Sequence, residues 1–341
     1  MISSAFWLGK RIFVTGHTGF MGSWFSLTLS RLNAVSTGYA LEPPTTPSLF
    51  DLARVGEHIE DIRGDIRDLS RLRAAMKAAE PEIVIHLAEP PQRPEAQEDR
   101  RTARALGLMD ALNALEAARA CGSVAVALVV SDGDDEGSSA AFRGGVMKIL
   151  SARSGETIGG GDFASGHIAA EAFRAFSSGR PLSLRNPHSQ HPWVHVMEPV
   201  AGCLELVETA MSRDARLESP WSFAPEPRDE RSAEAFVARF RETFGAGDWI
   251  SPDDAPPPDA LSPRKKAAEA GEVRGWSPTL DFVEAVDWTA QWWRALAFGE
   301  DVARITRAQV DAYLGRRVRL VSPFAQPKES ERGKLSRAVG F

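Results

Sequence analysis

Three glycines near the start of the chain are spaced to hold a phosphate group. Gly16, Gly19 and Gly22 follow the apolar run 11–15, which predicts a strand, and they open a stretch with helical spacing at about 21–32. Glycines let the backbone turn sharply and approach a pyrophosphate, whose negative charge then meets the unpaired N–H groups at the start of the helix. The pattern therefore indicates a dinucleotide-binding loop.

A carboxylate twenty residues after the last of these glycines predicts how a ribose is held. Glu42 follows the second predicted strand, 34–41, where it can accept hydrogen bonds from a ribose 2′-hydroxyl. No arginine stands beside it in the sequence to favour a 2′-phosphate, so we expect NAD rather than NADP. The alternative is that Glu42 is a solvated loop acid without a ligand.

Strand and helix patterns alternate through the first 130 residues, as expected for a parallel sheet covered by helices. Further strands are predicted near 59–62 and at 82–87, 124–130 and 146–152, and helices at 69–79, 98–119 and 282–296. The run 82–87 is continuously apolar at its centre, 83–85, which is typical of a strand buried on both faces. We therefore predict an α/β fold, with a Rossmann-like doubly wound parallel sheet and a smaller C-terminal α+β lobe.

The composition excludes several classes of protein. The 341 residues are 43% hydrophobic and 25% charged, and the formal net charge of −6 supplies no overall field for nucleic acid or an anionic membrane. The uncharged run 12–30 contains glycines, serines and threonines that suit a bilayer poorly. Cys121 and Cys203 are the only cysteines, too few for a disulfide framework. We expect a cytoplasmic protein with no membrane segment and no nucleic-acid partner.

Three histidines close together in the sequence suggest a metal site, but their spacing does not support one. His188, His191 and His195 do not match the usual zinc patterns, and Pro192 interrupts any helix that would align them. We expect no metal.

Several motifs give the chain a specific resemblance. The glycine spacing, Gly64-Asp65-Ile66-Arg67-Asp68 and His86-Leu87-Ala88 resemble the extended short-chain dehydrogenase/reductases. Within that group the chain resembles the CDP-glucose 4,6-dehydratases, over about residues 5–315. The motifs that carry this are Phe6-Trp7, Gly16-His17-Thr18-Gly19-Phe20, 39–45, 158–162, 184–187, Pro192-Trp193-x-His195-Val196 and Gly275-Trp276-x-Pro278.

The resemblance implies a set of site residues. Those expected at NAD are Gly16, Thr18, Gly19, Phe20, Gly22, Glu42, Asp65, Ile66, Leu87 and Ala88. Those expected at a nucleotide sugar are Arg185, Trp193 and His195. It also implies a division into an NAD(P)-binding Rossmann-like domain at 1–155, truncated after the fifth strand, and a sugar-nucleotide lobe at 156–315, interleaved with the last sheet strands. A basic tail at 316–341 is expected to be solvated and partly disordered, or else to dock on an acidic partner.

The chemistry of the family needs a tyrosine with a lysine four residues later, and this pair is missing. The chain has two tyrosines, and four residues after Tyr39 and Tyr313 stand Pro43 and Arg317. Lys148 is the only lysine between positions 77 and 265, and it falls in a predicted strand. Between the fifth strand and that strand lie only residues 133–145, too short and too glycine-rich for the tyrosine-bearing helix.

The family's hydroxyl and acid are retained as Ser131 and Asp132. We therefore expect a dinucleotide-binding relative of the dehydratases that has lost hydride chemistry and serves as a binding, scaffold or regulatory protein in a surface-polysaccharide or deoxysugar pathway. The alternative is an active dehydratase, or a redox-neutral lyase that uses Ser131 and Asp132. Because the missing helix forms half of the family's dimer interface, we expect a monomer or a complex with a different protein rather than the family homodimer.

Overall fold

The computed structural model describes residues 1–88, 98–131, 146–212, 221–225, 229–251, 271–272 and 276–319. The sixteen strands of this part are β1 Ile2–Ser3, β2 Arg11–Thr15, β3 Val35–Ala40, β4 Glu60–Arg63, β5 Ile83–His86, β6 Val126–Ser131, β7 Lys148–Arg153, β8 Glu156–Ile158, β9 Leu182–Ser183, β10 Gln190–His191, β11 Trp193–His195, β12 Trp221–Ser222, β13 Arg231–Ser232, β14 Trp249–Ile250, β15 Gly271–Glu272 and β16 Val318–Arg319.

The helices of the same part are α1 Ser4–Trp7, α2 Phe20–Arg31, α3 Leu49–Leu52, α4 Leu69–Ala79, α5 Glu98–Cys121, α6 Ile168–Ser177, α7 Met197–Ser212, α8 Ala233–Phe244, α9 Phe282–Ala297 and α10 Val302–Arg317. The helix predicted at 69–79 is confirmed to the residue, and the other strands and helices predicted from the sequence begin and end within two residues of those observed.

An eight-stranded parallel sheet forms the centre of the molecule. Its order is β15-β12-β7-β6-β5-β2-β3-β4. The first strand of this sheet along the chain, β2, lies in the middle. The chain continues through β3 to β4 at one edge and then returns to form the other half from β5 to β15. The predicted Rossmann-like doubly wound fold is confirmed. In such sheets ligands bind outside the carboxyl ends of the strands, where the order reverses.

Alternate residues of the central strands face two different cores. Ile83 and Ile85 of β5 belong to the larger apolar cluster, with α2, α7 and α9, whereas Val84 belongs to the smaller one, with α4 and α5. A strand covered on both faces buries every side chain, which explains why β5 is apolar at residues 83–85 and why all four of its residues are buried. The sheet is thus a rigid platform for the loops that follow its strands.

Helix α2 is buried although it is rich in hydroxyl groups. Ser23, Ser26 and Thr28 are fully buried, and each donates a hydrogen bond to the carbonyl of the residue four positions earlier, at 2.7–2.8 Å. Because these hydroxyls are satisfied within the helix, the run 12–30 can pack in a core without water. Among the residues described, no helix is both long enough and apolar enough to cross a bilayer.

The C-terminal boundary predicted at residue 316 is wrong. Helix α10 continues to Arg317, and β16 pairs in parallel with β1 at the other end of the chain. Arg317 is buried because its guanidinium donates to Glu205, at 2.8 Å, and to Thr279. The first part of the predicted basic tail therefore belongs to the fold, and residues 320–341 lie outside the described residues.

The predicted truncation after the fifth strand also falls outside the part described. Strands β6 and β7 are adjacent and parallel, with Val126 opposite Lys148. Parallel neighbours need a crossover connection, and residues 132–145 of that connection are not described.

Candidate functional site

The glycine loop between β2 and α2 leaves no room for side chains. Gly16 has a φ of +76°, and a Cβ there would lie 2.7 Å from the backbone of Leu87 and Ala88. A Cβ on Gly22 would overlap the carbonyl oxygen of Gly16. The loop, the start of α2 and the segment after β5 are thus in direct backbone contact, as a close approach to a pyrophosphate requires.

The start of α2 carries an uncompensated positive end. Gly19 is the N-cap residue and makes no side-chain hydrogen bond to the helix, and the first turn contains no acidic residue. Thr18, just before it, donates its hydroxyl to the carbonyl of Leu41 at 3.0 Å, which ties the loop to the end of β3. Phe20 and Met21 are partly exposed. Free N–H groups and the helix dipole at this end suit an anion.

The carboxylate predicted to meet the ribose has a neighbour that the sequence did not reveal. Glu42 is 80% exposed, and Arg63 from β4 donates to its Oε2 at 3.1 Å and to the carbonyl of Leu41. The Arg63 guanidinium also lies 4.8 Å from the ring centre of Phe50. No arginine stands beside Glu42 in the sequence, but the next strand of the sheet supplies one in space.

The segment expected at the adenine is held by its own contacts. Asp65 pairs with Arg67, and this hydrogen bond lowers the pKa of the Asp65 carboxyl. The backbone carbonyl of Ile66 accepts from the Asn113 side chain at 3.3 Å, and the Ile66 side chain is buried in the smaller core. The loop after β4 is thus fixed beside α5 at the carboxyl edge of the sheet.

Two buried histidines lie under the glycine loop. His17 Nε2 pairs with Asp61 at 2.8 Å, and burial lowers the pKa of His17. His86 Nδ1 pairs with the hydroxyl of Thr15 at 2.7 Å, and burial lowers the pKa of His86 to about 4. Both rings are therefore neutral near pH 7. These two pairings were not predicted from the sequence, and the only signal for them there is that His17 follows β2 closely and His86 ends β5.

The three residues expected at a nucleotide sugar lie in different surroundings. Arg185 is exposed after β9, and Trp193 is buried with its ring stacked on His191 at 4.6 Å. His195 is fully buried between the edges of Trp24 and Trp288, and burial lowers its pKa to about 3. The His195 ring packs in the core instead of facing an open surface, and its contact with a substrate stays a prediction.

The three clustered histidines do not converge on one point. His188 is exposed with its Nδ1 3.7 Å from Glu234, His191 pairs with Glu156 at 2.7 Å, and His195 is in the core. Within the described ranges, no group of three or more histidine, cysteine or acidic side chains is arranged to hold a metal ion.

Comparison with known proteins identifies the family. The profile of the NAD dependent epimerase/dehydratase family matches residues 12–133. The chain is 30% identical to the CDP-glucose 4,6-dehydratase of Salmonella typhimurium, over 94% of this chain and the full length of that enzyme. This chain belongs to the NAD-dependent epimerase/dehydratase family.

Solved structures of this family share the fold. The epimerase Mth375 of Methanothermobacter thermautotrophicus superimposes with a TM-score of 0.66, at 18% identity over 88% of this chain and 96% of that one. The UDP-glucose 4-epimerase of Thermus thermophilus, solved as a complex with NAD, gives 0.62 at 21% identity over 83% and 99%.

The hydroxyl groups of both tyrosines donate hydrogen bonds within the fold. The Tyr39 hydroxyl donates to the carbonyl of Asp65 at 3.1 Å, with its ring against Gly64. The Tyr313 hydroxyl donates to Glu198 Oε2 at 2.7 Å, and burial raises the pKa of Tyr313. The retained hydroxyl and acid, Ser131 and Asp132, are only partly described. Strand β6 ends at Ser131, and Asp132 lies beyond the described residues.

Proposed function

We propose that this protein binds NAD in the loop 15–22 and has lost the hydride chemistry of its relatives. The glycine cradle and the uncapped start of α2 suit the pyrophosphate, and Glu42 suits the adenine ribose. Asp65 and Ile66 would flank the adenine, while Leu87 and Ala88 would line the loop side after β5. In this family bound NAD accepts a hydride from the sugar and returns it.

The loss of hydride chemistry rests on one observation, the state of the two tyrosine hydroxyls. Each is the donor of a hydrogen bond that holds the fold, to Asp65 in one case and to Glu198 in the other. Neither has a lysine four residues later to lower its pKa. A phenol that is buried against a carboxylate, as Tyr313 is, holds its proton more tightly instead of releasing it.

A binding, scaffold or regulatory role follows, for a nucleotide sugar or a protein partner in the cytoplasm. The relative that supports this choice is a CDP-glucose 4,6-dehydratase matched over its full length, so both lobes of that enzyme have counterparts here. A surface-polysaccharide or deoxysugar pathway is the setting that this relationship favours.

The alternative is catalysis by Ser131 and Asp132, either as an active dehydratase or as a redox-neutral lyase. Strand β6 ends at Ser131, at the same carboxyl edge of the sheet as the glycine loop. Ser131 and Asp132 could move protons if a substrate were held against them, although Asp132 lies outside the described residues.

Two measurements separate these functions. Calorimetric titration with NAD should give a binding isotherm, whereas no heat at millimolar NAD would indicate a protein that has lost the cofactor too. Incubation with CDP-glucose and NAD should give no 4-keto-6-deoxy sugar, detected by its ultraviolet absorbance in alkali. Robust turnover would establish the active dehydratase and overturn the proposal.

A further inference from the structure

Three side chains outside the glycine loop form a hydrogen-bonded chain of carboxylate, imidazole and hydroxyl. His191 Nδ1 lies 2.7 Å from Glu156 Oε2, and His191 Nε2 lies 2.7 Å from Ser189 Oγ. The order of groups and both distances are those by which a histidine activates a serine nucleophile.

The backbone around these residues fixes their relative positions. Strand β8 pairs in parallel with β11, with Glu156 opposite Trp193, so the carboxylate lies beside the segment that carries His191. Ser189 is held in a turn, since its N–H donates to the carbonyl of Asn186 at 3.1 Å and its own carbonyl accepts from Ala233. The His191 ring stacks on Trp193 with an interplanar angle of 10°. Such support limits rotation of the imidazole.

The hydrogen-bonded groups are accessible to solvent at the Ser189 end, where a substrate would react. The side chains of His191 and Glu156 are 25% and 33% exposed, and Ser189 is half-buried. Substrate could therefore reach Ser189 without a large movement. Strand β10 pairs antiparallel with β13, and Arg231 is directly opposite His191. Directly opposite residues project from the same face, so Arg231 and His191 share one face of this two-stranded sheet. The Arg231 guanidinium donates to the carbonyl of Glu230 at 2.9 Å and lies 5.8 Å from the ring centre of Phe282.

The proton positions follow from the available acceptors. With its Nδ1–H donating to Glu156, the neutral ring has a free lone pair on Nε2 and can accept the Ser189 proton. The Ser189 hydroxyl also lies 2.8 Å from the Asn186 carbonyl, so its one proton has two acceptors. Protonation of His191 makes Nε2 a donor and turns the hydroxyl proton toward Asn186. Only the neutral imidazole leaves the oxygen ready to attack.

We propose that Ser189, His191 and Glu156 form a nucleophilic triad that transfers acyl groups from small activated esters. Ser189 Oγ bonds to the ester carbonyl carbon while its proton passes to His191 Nε2. The bond from that carbon to the leaving oxygen breaks, and the leaving group takes the proton from Nε2. Water then attacks the acyl-serine with the same base, which releases the carboxylic acid and restores Ser189. Glu156 is a positioning residue that also stabilises the imidazolium.

The test is labelling with a fluorophosphonate, read by intact mass and mapped by peptide mass spectrometry. One adduct on Ser189 is expected. It should be absent in Ser189→Ala and at least tenfold slower in His191→Gln and Glu156→Gln, with Glu156→Asp restoring part of the rate. Ester cleavage should be measured in parallel with p-nitrophenyl acetate.

The matched controls are His188→Gln, an exposed histidine next to Ser189 in the sequence, and Ser178→Ala, an exposed serine elsewhere. Both should label at the rate of the unmodified protein. Melting temperatures of all variants should agree within a few degrees, so that a lost adduct reports the site and not the fold. The proposal is overturned if Ser189 is not labelled, or if folded His191→Gln and Glu156→Gln variants label as fast as the parent.

Discussion

At the scale of single residues, the variant Gly22→Ala tests the glycine loop by adding one methyl group. In Gly22→Ala the new Cβ would overlap the Gly16 carbonyl oxygen, which is backbone and cannot rotate away. We expect NAD affinity to fall at least tenfold, about 1.4 kcal/mol, as measured by calorimetry.

The matched control is Gly315→Ala, at a helical glycine with open space around its Cβ position. This change should leave NAD binding intact and stabilise α10 by about 0.5–1 kcal/mol, because alanine is the better helix former. Equal NAD affinity in the two variants would remove the loop from the binding site.

We expect Glu42 and Arg63 to set the preference between NAD and NADP. In Glu42→Ser the carboxylate that repels a 2′-phosphate is gone, while the Arg63 guanidinium stays beside the same position. A charge-assisted hydrogen bond contributes about 1.5–3 kcal/mol, so the preference for NAD over NADP should shift at least about tenfold toward NADP.

The double variant Glu42→Ser with Arg63→Ser should lose the shift in preference toward NADP. Because Glu42 is exposed, its replacement should not change the stability of the protein. Competitive titration of the two cofactors measures the ratio. A ratio unchanged by Glu42→Ser would show that Glu42 is the solvated loop acid considered in the sequence analysis.

At the scale of elements, Glu198 joins three segments. Its Oε1 accepts from the backbone N–H groups of Thr279 and Leu280, and its Oε2 accepts from Tyr313. Burial raises the pKa of this carboxyl, and the hydrogen bonds together with Arg317 act in the opposite direction. Helix α7 is thereby fastened to α10 and to the segment before α9.

Removing the Tyr313 hydroxyl should therefore loosen this junction. Tyr313→Phe leaves the buried carboxylate one donor short, and a loss of about 1–3 kcal/mol in the free energy of unfolding is expected. Tyr39→Phe is the comparison, since its hydroxyl meets only a backbone carbonyl, and it should cost about 0.5–1.5 kcal/mol. Urea unfolding measures both, and neither variant should alter NAD affinity. A change in NAD affinity with Tyr313→Phe would contradict its structural assignment.

Buried histidines at the strand ends make stability depend on pH. Burial lowers the pKa of His86 to about 4 and of His195 to about 3, whereas an unfolded histidine titrates near 6.5. Below about pH 6.5 the unfolded chain binds protons that the folded chain does not. The free energy of unfolding should therefore fall as the pH decreases toward 4, by up to about 1.4 kcal/mol per pH unit for each histidine.

Urea midpoints between about pH 7 and pH 5 measure this slope. His195→Phe replaces the ring between Trp24 and Trp288 with one that does not titrate, and it should reduce the slope by the share of one histidine. His188→Gln, at an exposed histidine, is the matched control. A slope that is the same in all three proteins would mean that His195 is protonated in the folded state.

At the scale of the whole molecule, the expected assembly is a monomer or a complex with a different protein. Helix α5 carries two exposed apolar side chains on one face, Leu106 at 43% and Met109 at 56%. Sedimentation velocity should give the mass of one 37.1 kDa chain. A homodimer would contradict this expectation. If the double variant Leu106→Lys with Met109→Lys disrupted that dimer without a change in stability, the dimer interface would include α5, as in the family homodimer.

Much of the fold follows from local pattern. Continuous apolar runs and helical spacing placed six strands of the central sheet and four helices within two residues, because burial on both faces of a parallel sheet leaves a strong signal. The glycine loop was equally visible, since its spacing reflects close backbone contacts that allow no side chain. The absence of a tyrosine–lysine pair is likewise a property of the sequence alone.

Tertiary structure decided what depends on neighbours distant in sequence. Arg63 reaches Glu42 because β4 pairs with β3. Arg317 is buried because α7 supplies Glu205. His195, on β11, is enclosed by the indoles of Trp24 from α2 and Trp288 from α9. The chain of Glu156, His191 and Ser189 exists because β8 and β11 pair. Charge pairs and buried rings of this kind leave no periodic trace in a sequence, since their partners are brought together by strand register and helix packing.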